Sequence, residues 1–186
     1  MKILVIGGTG FVGPYVVRQL IAASHQVMVF HRGQTKADLP PEIETLLGDR
    51  NRLPSFLAGL RRFGPDVVLD MIPMSEEDAV TATATFEGIT ERIVAISSAD
   101  VYRSYELLRG GKAWFAGPKL LTEDSPLREK LFPYRARVKD SDDPHYRYEK
   151  ILVERAFMNN PPLPATILRL PPFTAPLTAS IGYFLI

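Results

Sequence analysis

The chain has no cysteine among its 186 residues, and this absence excludes several kinds of chemistry. Disulfide bonds, metal sites with thiolate ligands and cysteine nucleophiles are all ruled out. An excess of one charge is also missing, because 22 Lys and Arg residues and 21 Asp and Glu residues leave a net charge of +1. This balance favours neither nucleic acid nor an anionic membrane as a partner.

Long apolar runs are missing as well, since none approaches the roughly eighteen residues that a membrane-spanning helix needs. Met1 and Lys2 lead directly into a short apolar run, without the pattern of a signal peptide. His25, His31 and His145 are too scattered in the sequence to predict a metal site. We therefore expect a cytoplasmic protein with no membrane partner and no metal.

Short apolar runs alternate regularly with helical patterns along the chain. The runs are continuously apolar, as in Val67-Val68-Leu69, which is typical of strands covered on both faces. This alternation predicts an α/β fold with a doubly wound parallel sheet flanked by helices. The predicted strands are Lys2–Ile6, Gln26–Phe30, Glu44–Leu47, Asp66–Asp70, Arg92–Ser97 and Thr166–Leu170.

The helical patterns begin near Gly13-Pro14 and recur at Leu53–Phe63, Glu76–Glu87 and 146–158. Residues 103–145 mix charge, glycine and proline, and they predict a long, partly helical surface insertion. We expect one nucleotide-binding domain over residues 1–170. Residues 171–186 are expected to start a truncated substrate-binding region.

Three glycines, Gly7, Gly10 and Gly13, follow the first apolar run and precede the first helix. Without side chains there, the backbone can turn sharply, approach a phosphate and pack the helix against the strand. The helix then directs its unpaired N–H groups and the positive end of its dipole at the anion. The segment Gly7–Gly13, with Phe11 and Val12, therefore predicts a site for a dinucleotide pyrophosphate. A glycine turn in another kind of α/β domain is the alternative.

A second group of residues predicts acid–base chemistry. Ser98 follows the fifth predicted strand, and ligands of doubly wound sheets bind at the carboxyl ends of the strands. On a helix, Tyr146 and Lys150 would share a face because they are four residues apart. An ammonium about 4 Å from a phenol, at an effective dielectric of about 20, favours the phenolate by about 4 kcal/mol, or nearly three pKa units.

These three side chains predict a reaction in which the proton of a substrate hydroxyl is removed while a hydride leaves the carbon that bears this hydroxyl. Ser98 would orient the oxygen, Tyr146 would take the proton, and Lys150 would also reach the ribose hydroxyls of a cofactor. The alternative for Tyr146 and Lys150 is an exposed helix pair without a catalytic role.

A set of motifs spanning nearly the whole chain carries a family resemblance. Its members are Gly7–Gly13, Gly48-Asp49, Ser97–Tyr102, Tyr146 to Lys150, and Leu168–Pro171. With them the chain resembles the extended short-chain dehydrogenase/reductase superfamily, in its NAD-dependent epimerase/dehydratase branch. The resemblance implies a Rossmann-type domain that binds NAD(H) or NADP(H), and substrates that are often nucleotide-linked sugars.

The resemblance also implies roles for individual residues. Ser98, Tyr146 and Lys150 would form the catalytic triad, and Asp49 would lie near the adenine. Family members often form dimers through helices that correspond here to residues near 76–88 and 146–158, so a homodimer is expected. The family usually has glycine where Arg103 stands, and extended members carry a substantial C-terminal substrate domain.

The end of the second predicted strand bears on the choice of cofactor. A carboxylate there would bind the adenosine ribose hydroxyls and favour NAD. The sequence instead has His31 and Arg32, so no acid repels a 2′-phosphate and a guanidinium is available to bind one. We therefore favour NADP over NAD, with a solvated loop charge as the alternative for Arg32.

Three functions remain open from the sequence. The first is an NAD(P)-dependent epimerase, dehydratase or reductase that acts on a nucleotide-linked sugar or a similar hydroxyl or carbonyl compound. The second is a dinucleotide-binding regulator or RNA-associated protein without turnover, which the cations of Arg128–Lys139 and their interleaved aromatics suggest. The alternative for that segment is a solvated loop, because Asp140, Asp142 and Asp143 offset its charge. The third is an inactive fragment of a larger protein.

Overall fold

Six parallel strands lie at the centre of a computed structural model that describes residues 1–109 and 120–171. Their order across the sheet is β3-β2-β1-β4-β5-β6, so the chain starts in the middle and winds outward in both directions. This confirms the predicted doubly wound parallel α/β fold. The strands are β1 (Lys2–Ile6), β2 (Gln26–His31), β3 (Glu44–Leu47), β4 (Val67–Asp70), β5 (Arg92–Ser98) and β6 (Ala165–Leu170).

Helices cover both faces of the sheet because the central strands are apolar on both sides. Leu4, Ile6 and Phe30 belong to the cluster on one face, and Val5 and Val29 belong to the cluster on the other. The helices are α1 (Gly13–Ala22), α2 (Leu57–Phe63), α3 (Glu76–Phe86), α4 (Arg103–Arg109), α5 (Pro144–Arg147) and α6 (Lys150–Met158). No helix within the described ranges has the length and apolar character needed to cross a membrane.

Helix ends follow the local sequence closely. Ser75 and Asp78 form a capping box at the start of α3, as the sequence predicts. Gly64 ends α2 with a φ of 62°, a left-handed conformation that glycine adopts without a steric penalty. The single helix predicted over Leu53–Phe63 is wrong, because Pro54 lies in a 3-10 segment, Arg50–Phe56, that precedes α2.

The predicted surface insertion differs from the expectation in its second half. Arg128 and Tyr134 are only 5% and 3% exposed, so part of residues 120–145 packs into the domain. Tyr102 and Leu127 form an isolated antiparallel bridge that holds the segment near the end of β5. Residues 110–119, and residues 172–186 of the predicted substrate-binding region, lie outside the described residues.

Candidate active site at the carboxyl edge of the sheet

The loop between β1 and α1 has the backbone geometry that its glycines predict. Gly7 has a φ of 84°, and its N–H donates to the Phe30 carbonyl at 3.0 Å. A Cβ at Gly13 would overlap the backbone carbonyl of Gly8, so the close approach of α1 to this loop requires glycine. A Cβ at Gly10 would instead meet no atom within 4 Å. Gly10 therefore faces open space in which a ligand can approach the backbone.

The start of α1 differs from the start of α3. Val12 caps α1 without a side-chain hydrogen bond, and the first turn of the helix has no acidic residue. By contrast, α3 has its capping box and three acidic residues in its first turn. The first N–H groups of α1 thus receive no side-chain acceptor from the cap, which fits an anion-binding helix start. A cleft of about 280 Å³ opens beside it, lined in part by Gly10, Phe11 and Lys36.

Residues after β2 and β3 lie at the same edge of the sheet. The Gly33 N–H donates to His31 Nδ1 at 3.1 Å, and burial lowers the pKa of His31, which favours the neutral imidazole. Arg32 next to it is exposed. Asp49 accepts a hydrogen bond from the Asn51 N–H at 2.9 Å and so begins the 3-10 segment. The structure thus brings His31, Arg32 and Asp49 to the edge that carries the glycine loop.

Ser98 and Lys150 also come together at this edge. Ser98 is the last residue of β5, and Lys150 is the first residue of α6. Lys150 Nζ donates to the Pro73 carbonyl at 2.7 Å and to the Ile96 carbonyl at 2.9 Å, so it lies between the ends of β4 and β5. These bonds hold a buried ammonium that keeps a third N–H beyond the two described contacts.

Burial lowers the pKa of Lys150 to about 8, although Asp70 and Asp100 partly oppose the shift. The folded protein therefore releases this proton near pH 8, whereas the unfolded chain holds it to about pH 10.4. Between these values the unfolded state binds more protons, so the free energy of unfolding should rise with pH, by up to about 1.4 kcal/mol per pH unit.

Urea unfolding of the wild type and of Lys150→Met between pH 7.5 and about pH 10 measures this contribution as the difference between the two curves. Lys139→Met, at an exposed lysine, should keep the wild-type slope. Parallel curves for the wild type and Lys150→Met would contradict the lowered pKa.

The prediction that Tyr146 and Lys150 share the face of one helix is wrong. Tyr146 belongs to α5, whereas Lys150 begins α6. Between them Tyr148 and Glu149 leave the helical conformation, with ψ values of 119° and 91°. The centre of the Tyr146 ring lies 4.8 Å from Cζ of the Arg135 guanidinium. The backbone carbonyl of Tyr146 accepts a hydrogen bond from Arg135 Nε at 3.1 Å. A catalytic role for Tyr146 stays a prediction.

Tyr148 lies near Lys150 and Asp100, a position that sequence spacing did not indicate. Lys150 Nζ lies 5.8 Å from the centre of the Tyr148 ring. The Tyr148 hydroxyl donates to Asp100 Oδ2 at 3.0 Å, and the Tyr134 hydroxyl donates to the same oxygen at 2.8 Å. In the sequence, only its position two residues before Lys150 indicates that Tyr148 could lie at the site. No local sequence pattern indicates this for Tyr134.

A buried ion pair explains the break between α5 and α6. Arg128 and Glu149 form a bidentate pair whose side chains are only 2% and 0% exposed. The Glu149 carboxylate also accepts from the N–H groups of Ile151 and Phe132, at 2.9 and 2.5 Å. Glu149 therefore caps α6 and ties it to residues 128–132, so the helix starts after Tyr148.

A second buried charge cluster supports the loop after β4. Arg50 pairs with Asp70, which is fully buried, and with Asp78 at 3.0 Å. Burial is the main cause of a raised pKa at Asp70, and the Arg50 guanidinium opposes it. Asp70 also accepts from the Ile72 N–H at 3.2 Å, and Pro73 next to it binds Lys150.

Two curated proteins are similar to part of this chain. The 2'-dehydrokanamycin reductase of Streptomyces kanamyceticus is 34% identical over 98 residues, which is 53% of this chain and 28% of that protein. The chloroplast stem-loop binding protein of 41 kDa b of Arabidopsis thaliana is 31% identical over 120 residues, or 58% of this chain and 32% of that protein. The matched region thus spans about a third or less of the length of these relatives.

Among solved structures, the Bordetella bronchiseptica enzyme WbmG in complex with NAD and UDP shares the fold, with a TM-score of 0.65 at 16% identity. That match covers 91% of this chain and 52% of WbmG. The family model described as the NAD dependent epimerase/dehydratase family matches residues 3–109. Because these residues make up more than half of the 186, the chain belongs to the NAD-dependent epimerase/dehydratase family.

Proposed function

We propose that this chain binds NAD(P) and takes part in hydride transfer at a hydroxyl or carbonyl carbon of a nucleotide-linked sugar. One observation carries the proposal. The uncapped start of α1 and the side chains of Ser98 and Lys150 all lie at the carboxyl edge of one parallel sheet. Ligands of doubly wound sheets bind at this edge.

The described residues suit the parts of such a cofactor. The glycine loop, with Phe11 and Val12, and the start of α1 would hold the pyrophosphate. Gly7 would make the turn, Gly10 would give access to the backbone, and Gly13 would let α1 approach the loop. Asp49 would lie near the adenine. When bound, the nicotinamide would accept a hydride from the substrate carbon or return one to it.

The chain's own side chains would handle the substrate oxygen and the proton. Ser98 would donate a hydrogen bond to the oxygen as its charge develops, and Lys150 would hold the ribose with its remaining N–H. Tyr146 is the proton acceptor that the sequence pattern proposes. A homodimer through α3 and α6 also stays a prediction.

Two findings support the substrate class and the reaction. WbmG was solved with NAD and UDP, and a nucleotide-linked sugar carries such a nucleoside diphosphate. One of the curated relatives is a reductase. Both proteins extend well beyond the region that this chain matches.

The charges after β2 support NADP as the preferred cofactor. The last residue of the strand is His31, and exposed Arg32 follows it. No carboxylate at this point would repel a 2′-phosphate, and the guanidinium can bind one in a bidentate manner. Lys36, also exposed, lines the cleft beside the loop and adds a second cation, which no local sequence pattern indicates.

Arg32→Ala should lower the affinity for NADPH by about tenfold or more, because a hydrogen bond to a charged group contributes about 1.5–3 kcal/mol. The affinity for NADH should change less than about threefold, since NADH lacks the phosphate. Titration by nicotinamide fluorescence measures both dissociation constants. The matched control is Arg62→Ala, at an exposed arginine near the end of α2. An unchanged ratio of the two affinities would overturn the NADP preference.

The same titrations test the proposed function when they are followed by a panel of nucleotide-linked sugars and their keto derivatives. We expect cofactor binding, and a change in nicotinamide absorbance with at least one member of the panel. Binding without turnover on any member would favour a dinucleotide-binding regulator or a fragment without activity. Absence of binding to either cofactor would overturn the proposal.

The stem-loop binding relative gives a specific reason to consider RNA. Two of the five cations in the basic segment that suggested this partner make contacts within the protein, whereas Lys130, Arg137 and Lys139 are exposed. The Arg128 guanidinium is buried against Glu149, and Arg135 stacks on Phe132 at 3.6 Å from the ring centre. Retention on RNA that falls steeply with salt would nevertheless favour this second function.

A further inference from the structure

Arg135 is a half-buried guanidinium whose charge is not matched by an acid. Its Nε donates to the Tyr146 carbonyl at 3.1 Å. Within residues 1–109 and 120–171, no carboxylate forms an ion pair with Arg135, and no acceptor is bound to its Nη1 or Nη2. The N–H groups of these two nitrogens are therefore available to a ligand.

Four other arginines between residues 100 and 171 have a carboxylate as partner. The pairs are Arg103 with Glu129, Arg128 with Glu149, Arg147 with Glu77, and Arg169 with Glu154. The acids that follow Arg135 in the chain do not take this part. Asp143 binds His145 at 2.9 Å, and Asp140 and Asp142 are exposed. A partly desolvated cation without a counter-charge costs free energy, which an anionic ligand would recover.

Two aromatic rings lie against the Arg135 guanidinium. Its Cζ is 3.6 Å from the centre of the Phe132 ring and 4.8 Å from the centre of the Tyr146 ring, which are distances of cation–π contacts. A guanidinium stacked on a ring directs its N–H groups outward in its own plane. The rings therefore hold the group without using the donors that an anion needs.

The backbone at Phe132 is strained, and this strain places its ring under Arg135. Phe132 has a φ of 54°, a left-handed conformation that bulky residues rarely adopt. Its N–H donates to the buried Glu149 carboxylate at 2.5 Å, and its carbonyl accepts from the Arg135 N–H at 3.2 Å. These bonds hold a tight turn that returns Arg135 to the ring. Strained backbone of this kind concentrates at ligand-binding sites.

The stack of Phe132, Arg135 and Tyr146 lies next to the candidate site. Tyr134, which precedes Arg135, donates to the Asp100 carboxylate at 2.8 Å, and Asp100 lies two residues after the end of β5. Tyr146 lies four residues before the start of α6. The guanidinium is thus held between the end of β5 and the start of α6.

This location differs from that of the glycine loop. The loop follows β1, and β4 lies between β1 and β5 in the sheet. Two strand spacings separate the ends of β1 and β5 by about 10 Å. A phosphate bound by Arg135 would therefore belong to a second ligand and not to the pyrophosphate of the cofactor.

We propose that Arg135 binds the diphosphate of the nucleotide-linked substrate, with Phe132 as a positioning residue. The inference rests on the proposed function and adds a binding contact to it. Because Nε is engaged, Nη1 and Nη2 would donate to two oxygens of one phosphate in a bidentate manner. The exposed cations Lys130, Arg137 and Lys139 on the same segment would attract the anion to this side of the protein.

Calorimetric titration with UDP and with inorganic pyrophosphate tests this site. The protein is first saturated with NADPH, so that the glycine loop is occupied and does not bind the probes. Arg135→Gln should lower the affinity for both probes by about tenfold or more, because it removes hydrogen bonds between charged groups. Arg135→Lys should recover only part of the affinity, since an ammonium lacks the planar fork. The dissociation constant of NADPH should stay within about threefold in both variants.

The matched control is Arg137→Gln, because Arg137 lies in the same 3-10 segment and is exposed. This variant should change the affinity for UDP and pyrophosphate by less than about threefold. Equal losses in Arg135→Gln and Arg137→Gln would overturn the proposal, since they would show a diffuse attraction without a defined contact. Equal losses together with tighter binding of an RNA stem-loop than of UDP would instead identify the segment as an RNA surface.

Substitutions of Phe132 separate a positioning role from a structural one. Phe132→Leu should weaken UDP binding by about threefold or more because the cation–π contact is lost, whereas Phe132→Tyr should stay within about twofold. Phe132→Gly relieves the strained φ, so the variant should keep its stability in urea and still lose UDP affinity. A glycine variant that binds UDP like the wild type would overturn the role of the ring.

The outcomes also distinguish this inference from the proposed function. UDP binding that is independent of Arg135, in a protein that binds NADPH and turns over a nucleotide-linked sugar, would overturn the diphosphate site alone. UDP binding that depends on Arg135, in a protein that binds neither cofactor, would overturn the proposed function and support the site. A wild type that binds neither UDP nor pyrophosphate would overturn the site.

Discussion

Gly13→Ala should remove cofactor binding and lower the free energy of unfolding by about 3 kcal/mol or more. The added Cβ would overlap the Gly8 carbonyl, which belongs to the backbone and cannot rotate away as a side chain can. The loop and α1 would have to move apart, which costs as much as overpacking a core. Urea unfolding and nicotinamide fluorescence measure the two effects.

Gly10→Ala is the matched control for this prediction. Its Cβ would meet no protein atom within 4 Å, so the fold should keep its stability within about 0.5 kcal/mol. The same methyl group would stand in front of the loop, where the proposed function places the pyrophosphate, and cofactor affinity should fall about tenfold or more. A Gly10→Ala protein that binds both cofactors like the wild type would contradict this placement. A stable Gly13→Ala protein would contradict the described packing of α1.

Arg128→Met should lower the free energy of unfolding by about 3–5 kcal/mol, because it leaves the buried carboxylate of Glu149 without its counter-charge. The variant should also weaken cofactor binding, since Glu149 caps α6 at the residue next to Lys150. Urea unfolding and cofactor titration again provide the measurements. The double variant Arg128→Met/Glu149→Leu should recover part of the stability, since no buried charge then remains unpaired.

The pair of Arg103 and Glu129 is the matched control, because it joins the same two residue types in solvent. Its side chains are 50% and 73% exposed, and its atoms are 2.5 Å apart. Arg103→Met should therefore change the free energy of unfolding by less than about 1 kcal/mol. Similar losses in Arg103→Met and Arg128→Met would show that the buried pair does not hold the segment.

Tyr146 illustrates the limit of reasoning from local spacing. The four-residue interval to Lys150 predicts neighbours only if the helix between them is continuous. Glu149 interrupts that helix because its carboxylate is bound to Arg128, 21 residues earlier in the chain. A helix propensity of a few tenths of a kcal/mol per residue cannot compensate for an unpaired buried charge.

The sequence by itself determined the parallel sheet, the glycine loop and the edge at which Ser98 lies. Each of these depends on a contiguous pattern, namely a continuous apolar strand or the direct passage from strand to glycine to helix, and such short-range order survives in most tertiary contexts. Only the tertiary structure decided that the phenols of Tyr134 and Tyr148 both donate to the buried Asp100 carboxylate. Those contacts join residues 34 and 48 positions apart, and the burial of charges and phenols, which no local pattern encodes, selects them.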